Sequence, residues 1–484
     1  MKNINEMKAP EGAKKSSGNS LINGMYVNTS YGRTKNEAKT FTRTQSALLD
    51  FYAQAGAMRG EPKKALDLFK RAFSEDREKA IKVLFYLRDI RGGQGERALF
   101  RVCLQWLGEN EPSIFEKIVD FVQEYGRFDD LFFDNKKCFL LIKSQLEKDQ
   151  KEDKPSLLAK WLPTINASSL NTRKKARFMA NGLGIDEMAY RKLIRSIRKK
   201  IATVEEKMSA KKWPDINYSV VPSQASRIYK NVFKKHDEKR YEKFIEKAEK
   251  GEVKINAGTL YPYQIYNSVW ADYSKTLEAL WNQLPDYTQG KNALVVADTS
   301  GSMTGVPISV SVSLALYFAE RNKGQFQNYF ISFSGQPKLH KVQGANLRDK
   351  MNSIQLGDVA NTNVQAVFDL ILTTAVQNST PEDEMPDTIY IISDMEFDQA
   401  TYGDQTNFEV IEQKYSQLGY VRPNLVFWNV NASGENLPVK ESERGVSMVS
   451  GFSPVIFKMA VENKTPYEVM MNTINSDRYK RIII

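Results

Sequence analysis

ALVVADTSGSM, residues 293–303, decides how the rest of this chain is read. Five apolar residues run straight into a loop holding Asp298, Ser300 and Ser302. A short apolar run closed by a polar turn reads as a buried strand. An Asp followed by two serines at alternate positions sets one carboxylate and two hydroxyls around a single turn, and Gly301 lets the turn close without steric cost. Hard oxygen donors of low total charge suit Mg2+, which keeps several of its waters. Taken alone, an Asp/Ser loop is equally at home as a helix cap.

Three more runs repeat the strand pattern: YFISF at 329–333, TIYIIS at 388–393 and LVFWNV at 425–430. Amphipathic segments such as 310–320 and 364–373 separate them. Strands alternating with helices predict an α/β, doubly wound parallel sheet covered on both faces. Sites in such sheets lie at the carboxyl ends of the strands. Asp394 stands at one such end, directly after TIYIIS, and Thr362 offers a hydroxyl just ahead of an amphipathic helix.

DTSGSM, the segment around Thr362 and ISDMEFD together resemble the metal-ion-dependent adhesion site of von Willebrand factor A domains. The resemblance implies a divalent cation, Mg2+ or another, held directly or through water by Asp298, Ser300, Ser302, Thr362 and Asp394. It also implies that the cation can take an acidic protein ligand. The family usually carries Gly-Gly before the threonine, where this chain has Ala360-Asn361; Asp358 is the nearest alternative oxygen.

Working outward, 484 residues exceed one ordinary core, so more than one domain is expected. Residues 1–40 are rich in Lys, Asn, Ser and Gly and read as a flexible arm. Residues 41–290 are helical in pattern, with apolar faces such as Ala65, Leu68, Phe69 and Ala72 broken by short Gly/Pro turns. Successive short helices predict a helical-repeat array. Residues 291–484 form the α/β domain. The net charge of +11 divides unevenly, +16 across residues 1–290 and −5 across 291–484, which points to a polyanion partner for the helical half alone.

Two segments carry that charge in patterned form. LFYLRDIRGGQGER (84–97) sets Arg91 and Arg97 among glycines and carboxylates. It reads either as a helix end fixed by Arg–carboxylate pairs or as an Arg-lined loop for phosphate. Residues 171–200 carry Arg173, Lys174, Lys175, Arg191, Arg195, Arg198 and Lys199, in part at helical spacing, with Tyr190, Trp213, Tyr218 and Tyr229 nearby as candidate stacking platforms for bases. His236 and His340 are lone histidines with ordinary roles expected. No Walker loop, zinc cluster or nucleophile elbow occurs, so no enzyme is expected.

Cys103 and Cys138 give neither a disulfide framework nor zinc spacing. No apolar run is long enough for a bilayer, and the first residues lack the apolar core of a signal peptide. A cytoplasmic protein without membrane contact is expected.

LFYLRDIRGGQGER, residues 208–237, VVADTSGSM, ISDMEFDQATYG and NLVFWNV with GVSMVSGFSP resemble a family of uncharacterised plant, fungal and phage proteins. That family is related to TROVE proteins such as the Ro autoantigen. The relationship implies HEAT-like helical repeats, in TROVE proteins a ring, followed by a von Willebrand factor A-like domain, and a non-catalytic RNA-binding function for small structured or single-stranded RNA. A Mg2+-dependent protein-interaction scaffold without RNA is the competing expectation.

Overall fold

A computed structural model of the chain describes residues 31–333, 336–356, 362–398, 405–432 and 436–484. Its strands are β1 (Tyr31–Arg33), β2 (Lys39–Phe41), β3 (Ala293–Asp298), β4 (Tyr329–Phe333), β5 (Lys338–Lys341), β6 (Thr388–Ser393), β7 (Asn424–Asn429) and β8 (Val446–Ser450). Helices fill the chain between β2 and β3, from Ala47–Gln54 to Lys275–Asn282. The last six strands form one mixed sheet in the order β5-β4-β3-β6-β7-β8, with β5 antiparallel to β4 and every other pair parallel.

Every residue of β3 and β6 is buried, as unbroken apolar runs require of central parallel strands. Val296 of β3 sits opposite Ile331 of β4 on one side and Ile391 of β6 on the other. The chain leaves β3 toward β4 and then crosses back to β6. The carboxyl ends of β3 and β6 therefore flank the point where the winding reverses. Asp298 closes β3 and Asp394 follows β6, so both carboxylates arrive at that crevice. Two strands went unforeseen. β5 reads KLHK at an exposed edge, and β8 interleaves serines with its apolar residues yet is wholly buried beneath the helix Ala47–Gln54.

The helical half follows its apolar spacing closely. Pro62–Glu75 starts with proline in its first turn and buries Ala65, Leu68, Phe69, Ala72 and Phe73 along one face. Asp76 ends that helix and caps the next, its carboxylate accepting from Lys79 N–H at 3.0 Å. Arg77–Arg88 is buried from Ala80 onward, so it runs through the middle of the array. The two halves share one continuous core: Ala47–Gln54 packs on β8, and Pro262–Ala271 packs on Val306–Arg321.

The segment LFYLRDIRGGQGER is a joint between distant parts of the chain. Asp89, 1% exposed, accepts from the Arg478 guanidinium (Nη2 at 2.8 Å, Nε closer) and from the Tyr479 hydroxyl at 3.0 Å. Arg88 pairs with Asp130 at 2.7 Å and Glu96 with Arg59 at 2.5 Å. Tyr261 O–H donates to the Gln94 carbonyl at 2.7 Å, bringing the end of the helical array against its beginning. Gly93 is packed so tightly that a Cβ would stand 1.8 Å from the Tyr86 carbonyl oxygen. Of the two expected readings, the Arg–carboxylate one is what the geometry contains; Arg91 and Arg97 remain exposed beside the joint.

Residues 31–40 depart from the flexible-arm expectation. β1 and β2 form a hairpin laid on the α/β half, where Phe41 and Leu437 exchange backbone hydrogen bonds at 3.0 and 2.8 Å. The strands are three residues long, too short for alternation to register in sequence. Residues 1–30 of the expected arm lie outside the described residues.

Candidate functional site

At the crevice between β3 and β6, Asp298 is fully buried. Its Oδ1 accepts the Ser300 N–H at 2.9 Å and its Oδ2 accepts the Ser393 hydroxyl at 2.5 Å. Burial pushes its carboxyl up to about 7, against the pull of those hydrogen bonds, and the neighbouring Asp394 carboxylate adds to the rise. Asp394 is 2% exposed and is raised by burial too, although the Ser302 hydroxyl and the Glu396 N–H favour its charged form. Its Oδ2 is sealed from solvent with no hydrogen-bond partner. The hydroxyls of Ser300 and Ser302 lie 3.2 Å apart.

Four of the five expected cation-holding residues thus converge: Asp298, Ser300, Ser302 and Asp394. Thr362 is buried beside the same loop, its carbonyl accepting the Asp398 N–H at 2.8 Å. Asp358, the alternative oxygen, and Ala360-Asn361 lie outside the described residues. Among the described residues no three His, Cys, Asp or Glu side chains gather into a metal cluster. Two carboxylates and two hydroxyls, with one buried carboxylate oxygen unanswered, make a donor set that fits a hard divalent cation rather than a soft one.

The loop after β6 is braced from the β1–β2 hairpin. Thr34 donates to the Phe397 carbonyl at 2.6 Å, the Lys35 N–H to Glu396 Oε2 at 2.8 Å, and Asn36 Nδ2 to the Glu396 carbonyl at 2.8 Å. Nothing in sequence linked residues 34–36 to 396–397, more than 350 positions away.

The expected basic residues fall on two helices. Lys174 and Lys175 are exposed on Leu170–Gly182, and Arg191, Arg195 and Lys199 on Glu187–Ile201, where Ile194 and Ile197 supply the buried face. Arg173 is half-buried and reaches the Ala167 carbonyl at 3.3 Å. Arg198 differs from its neighbours. Its guanidinium donates to the Ala159 carbonyl at 2.8 Å, the Thr164 hydroxyl at 2.8 Å and the Leu162 carbonyl at 2.6 Å, so it clamps the 159–164 turn.

Two of the four expected stacking platforms are closed to bases: Tyr190 and Tyr218 are buried. Tyr229 and Trp213 are half-buried, Tyr229 packed against Phe233 and Trp213 stacked on His236 at 4.7 Å. Aromatics at helical spacing are core more often than platforms, and here the core takes Tyr190 and Tyr218. His340 is buried under Phe330 with its Nε2 2.6 Å from the Ser332 hydroxyl; burial lowers its pKa to about 4.

Fold and site together define a two-part protein: a helical domain with a basic face, joined to a mixed α/β domain with an oxygen-donor crevice. Residues 292–480 match the model of a domain of unknown function (DUF7788). Residues 34–120 and 180–295 match a second domain of unknown function (DUF2828). The chain is 28% identical to Uncharacterized protein L728 of Acanthamoeba polyphaga mimivirus, over 91% of this chain and 86% of that protein. Among solved structures it is similar to that of the Deinococcus radiodurans RO (RSR) protein, covering 87% of this chain and 93% of that one at 13% identity and a TM-score of 0.37. No residue correspondence follows from so distant a superposition. No described helix is long and apolar enough to cross a membrane.

Proposed function

We propose that this is a non-catalytic RNA-binding protein of Ro/TROVE type, whose helical half holds RNA and whose α/β half is a von Willebrand factor A-like module for a partner. The observation that carries the RNA reading is a face of unpaired cations. Lys174, Lys175, Arg191, Lys192, Arg195 and Lys199 are exposed on two adjoining helices, and among the described residues none has a carboxylate within ion-pair distance. A face of six cations without carboxylate partners attracts phosphate. Contacts between Tyr261 and Gln94 support a helical array closed into a ring.

In this reading Asp298, Ser300, Ser302, Asp394 and Thr362 would hold Mg2+ or a similar cation, which would supply positive charge for a carboxylate from an acidic protein ligand. The residues themselves fix two oxygens at strand ends and exclude water from Asp394 Oδ2. That orphaned oxygen is also what favours the second reading, a Mg2+-dependent scaffold that binds protein and no RNA.

Electrophoretic shift of labelled single-stranded and hairpin RNA across a salt series separates them. RNA affinity should fall about linearly in log–log with salt, and reversing Arg191 and Arg195 to Glu should lower both affinity and slope. Absence of any shift at low salt, with partner capture abolished by EDTA or Asp298→Ala, decides for the scaffold.

A further inference from the structure

The tip of the β1–β2 hairpin meets the crevice at the loop that carries Asp394. Thr34, the Lys35 N–H and Asn36 donate to the Phe397 carbonyl, Glu396 Oε2 and the Glu396 carbonyl in turn, and Glu37 adds an antiparallel bridge to Asp398. The loop passes this hold across the crevice, because the Asp398 N–H donates to the Thr362 carbonyl at 2.8 Å. Asp394 and Thr362 are thus tied to one strap. Its other end is anchored at Leu437, whose carbonyl accepts the Phe41 N–H at 3.0 Å and the Thr40 hydroxyl at 3.0 Å.

A strained residue follows Asp394. Met395 is buried with φ at 65°, in the left-handed region that a residue with a Cβ enters only at a cost. Such a conformation persists where its surroundings over-determine it, and residues of this kind gather at ligand clamps. From the sheet side, Ser393 Oγ accepts the Met395 N–H at 3.1 Å and Asp394 Oδ1 accepts the Glu396 N–H at 3.2 Å. From the other side, the hairpin supplies three donors to residues 396 and 397.

We propose that the hairpin sets the cation affinity of the crevice. Thr34 and Asn36 are positioning residues: they keep the 394–398 loop in its strained form, with Asp394 beside Asp298. Released from the hairpin, Met395 relaxes out of the left-handed region, and the loop takes Asp394 and its hold on Thr362 away from the site. Groups that orient metal ligands from behind are worth roughly 10–100-fold in metal affinity. The proposal rests on the cation reading and adds to it a control element 360 positions distant in sequence.

The test follows Mn2+ binding to the full-length protein through the paramagnetic resonance of the free ion, with Asp298→Ala showing which binding belongs to the crevice. Thr34→Val and Asn36→Ala together should weaken Mn2+ about tenfold or more. Asn36→Ala alone, at an exposed residue, should lose part of this, and Thr34→Ser, which keeps the hydroxyl, should bind as the parent does. In EDTA the double variant should exchange amide hydrogens faster at residues 394–398 and at the parent's rate along β3 and β6. Parental Mn2+ affinity in the double variant overturns the proposal and leaves the cation reading standing. Weakened affinity with faster exchange along β3 and β6 as well overturns it too, since general loosening then explains the loss. Mn2+ binding that is absent, or indifferent to Asp298→Ala, takes down the cation reading and the proposal with it.

Discussion

Replacing Asp89 by alanine should cost the fold about 3–4 kcal/mol. The carboxylate is buried and accepts from Arg478, from the Tyr479 hydroxyl at 3.0 Å and from the Arg91 N–H at 2.9 Å. Breaking a buried pair by removing one partner costs about 3–5 kcal/mol. Arg478 keeps about a third of its side chain in solvent, which softens its share, but Tyr479 is 2% exposed and its hydroxyl would be left without an acceptor. That combination places the loss in the lower half of the range. Arg478→Ala should cost less, about 1–2 kcal/mol, and a double-mutant cycle should return a coupling above roughly 1 kcal/mol. Urea unfolding followed by tryptophan fluorescence measures both, with hydrogen exchange along Arg77–Arg88 reporting where the fold loosens. If Asp89→Ala unfolds within about 0.5 kcal/mol of the parent, as an ordinary surface change does, the joint carries no stability and the reasoning is wrong.

Other consequences are equally open to measurement. Asp298 titrates in the folded protein near 7 against an ordinary 3.8, and Asp394 is raised as well, so the native state without a cation holds protons that the unfolded chain has released. The stability that Asp298 contributes is complete below about pH 4 and is lost as pH rises through about 7, and the raised Asp394 acts in the same direction. In EDTA the melting temperature should fall across that window, and Mg2+ should restore it with an affinity that grows with pH; a melting temperature flat in both conditions refutes the proposed site. Arg198→Ala removes three donors from the 159–164 turn and should cost about 2–3 kcal/mol by chemical denaturation, with Arg198→Lys recovering little because one ammonium cannot span the three acceptors. Gly93→Ala drives a methyl into the Tyr86 carbonyl and should leave little folded protein, whereas Gly60→Ala, with open space around it, should express normally.

What sequence revealed depended on how far apart the interacting residues lie. β3, β4, β6 and β7 were legible because central parallel strands are continuous apolar runs, and Asp298 and Asp394 because strand ends are where such sheets place sites. β8 was hidden because Ser447 and Ser450 interrupt its apolar run, and Ser450 is buried against a helix nearly 400 positions earlier, its hydroxyl donating to the Tyr52 carbonyl at 3.1 Å. The basic stripe of Glu187–Ile201 was correctly located, yet Arg198 could not be told from Arg191 and Arg195 by spacing. Only the carbonyls of residues 159 and 162, folded beneath it, separate a clamp from a free cation.

The joint at Asp89 also sets a schedule. Arg478 follows it by 389 positions, and at about 5–20 residues per second a ribosome needs about 20–80 s to make that stretch. Throughout that interval Asp89 lacks its cation, and the helices around Arg77–Arg88 lack the Pro466–Ile474 helix that packs on them. The first half of the protein is therefore synthesised early and finished late. A message cut short before codon 478 yields a chain with an open seam, a flaw that chaperones and proteases can recognise without inspecting either functional face.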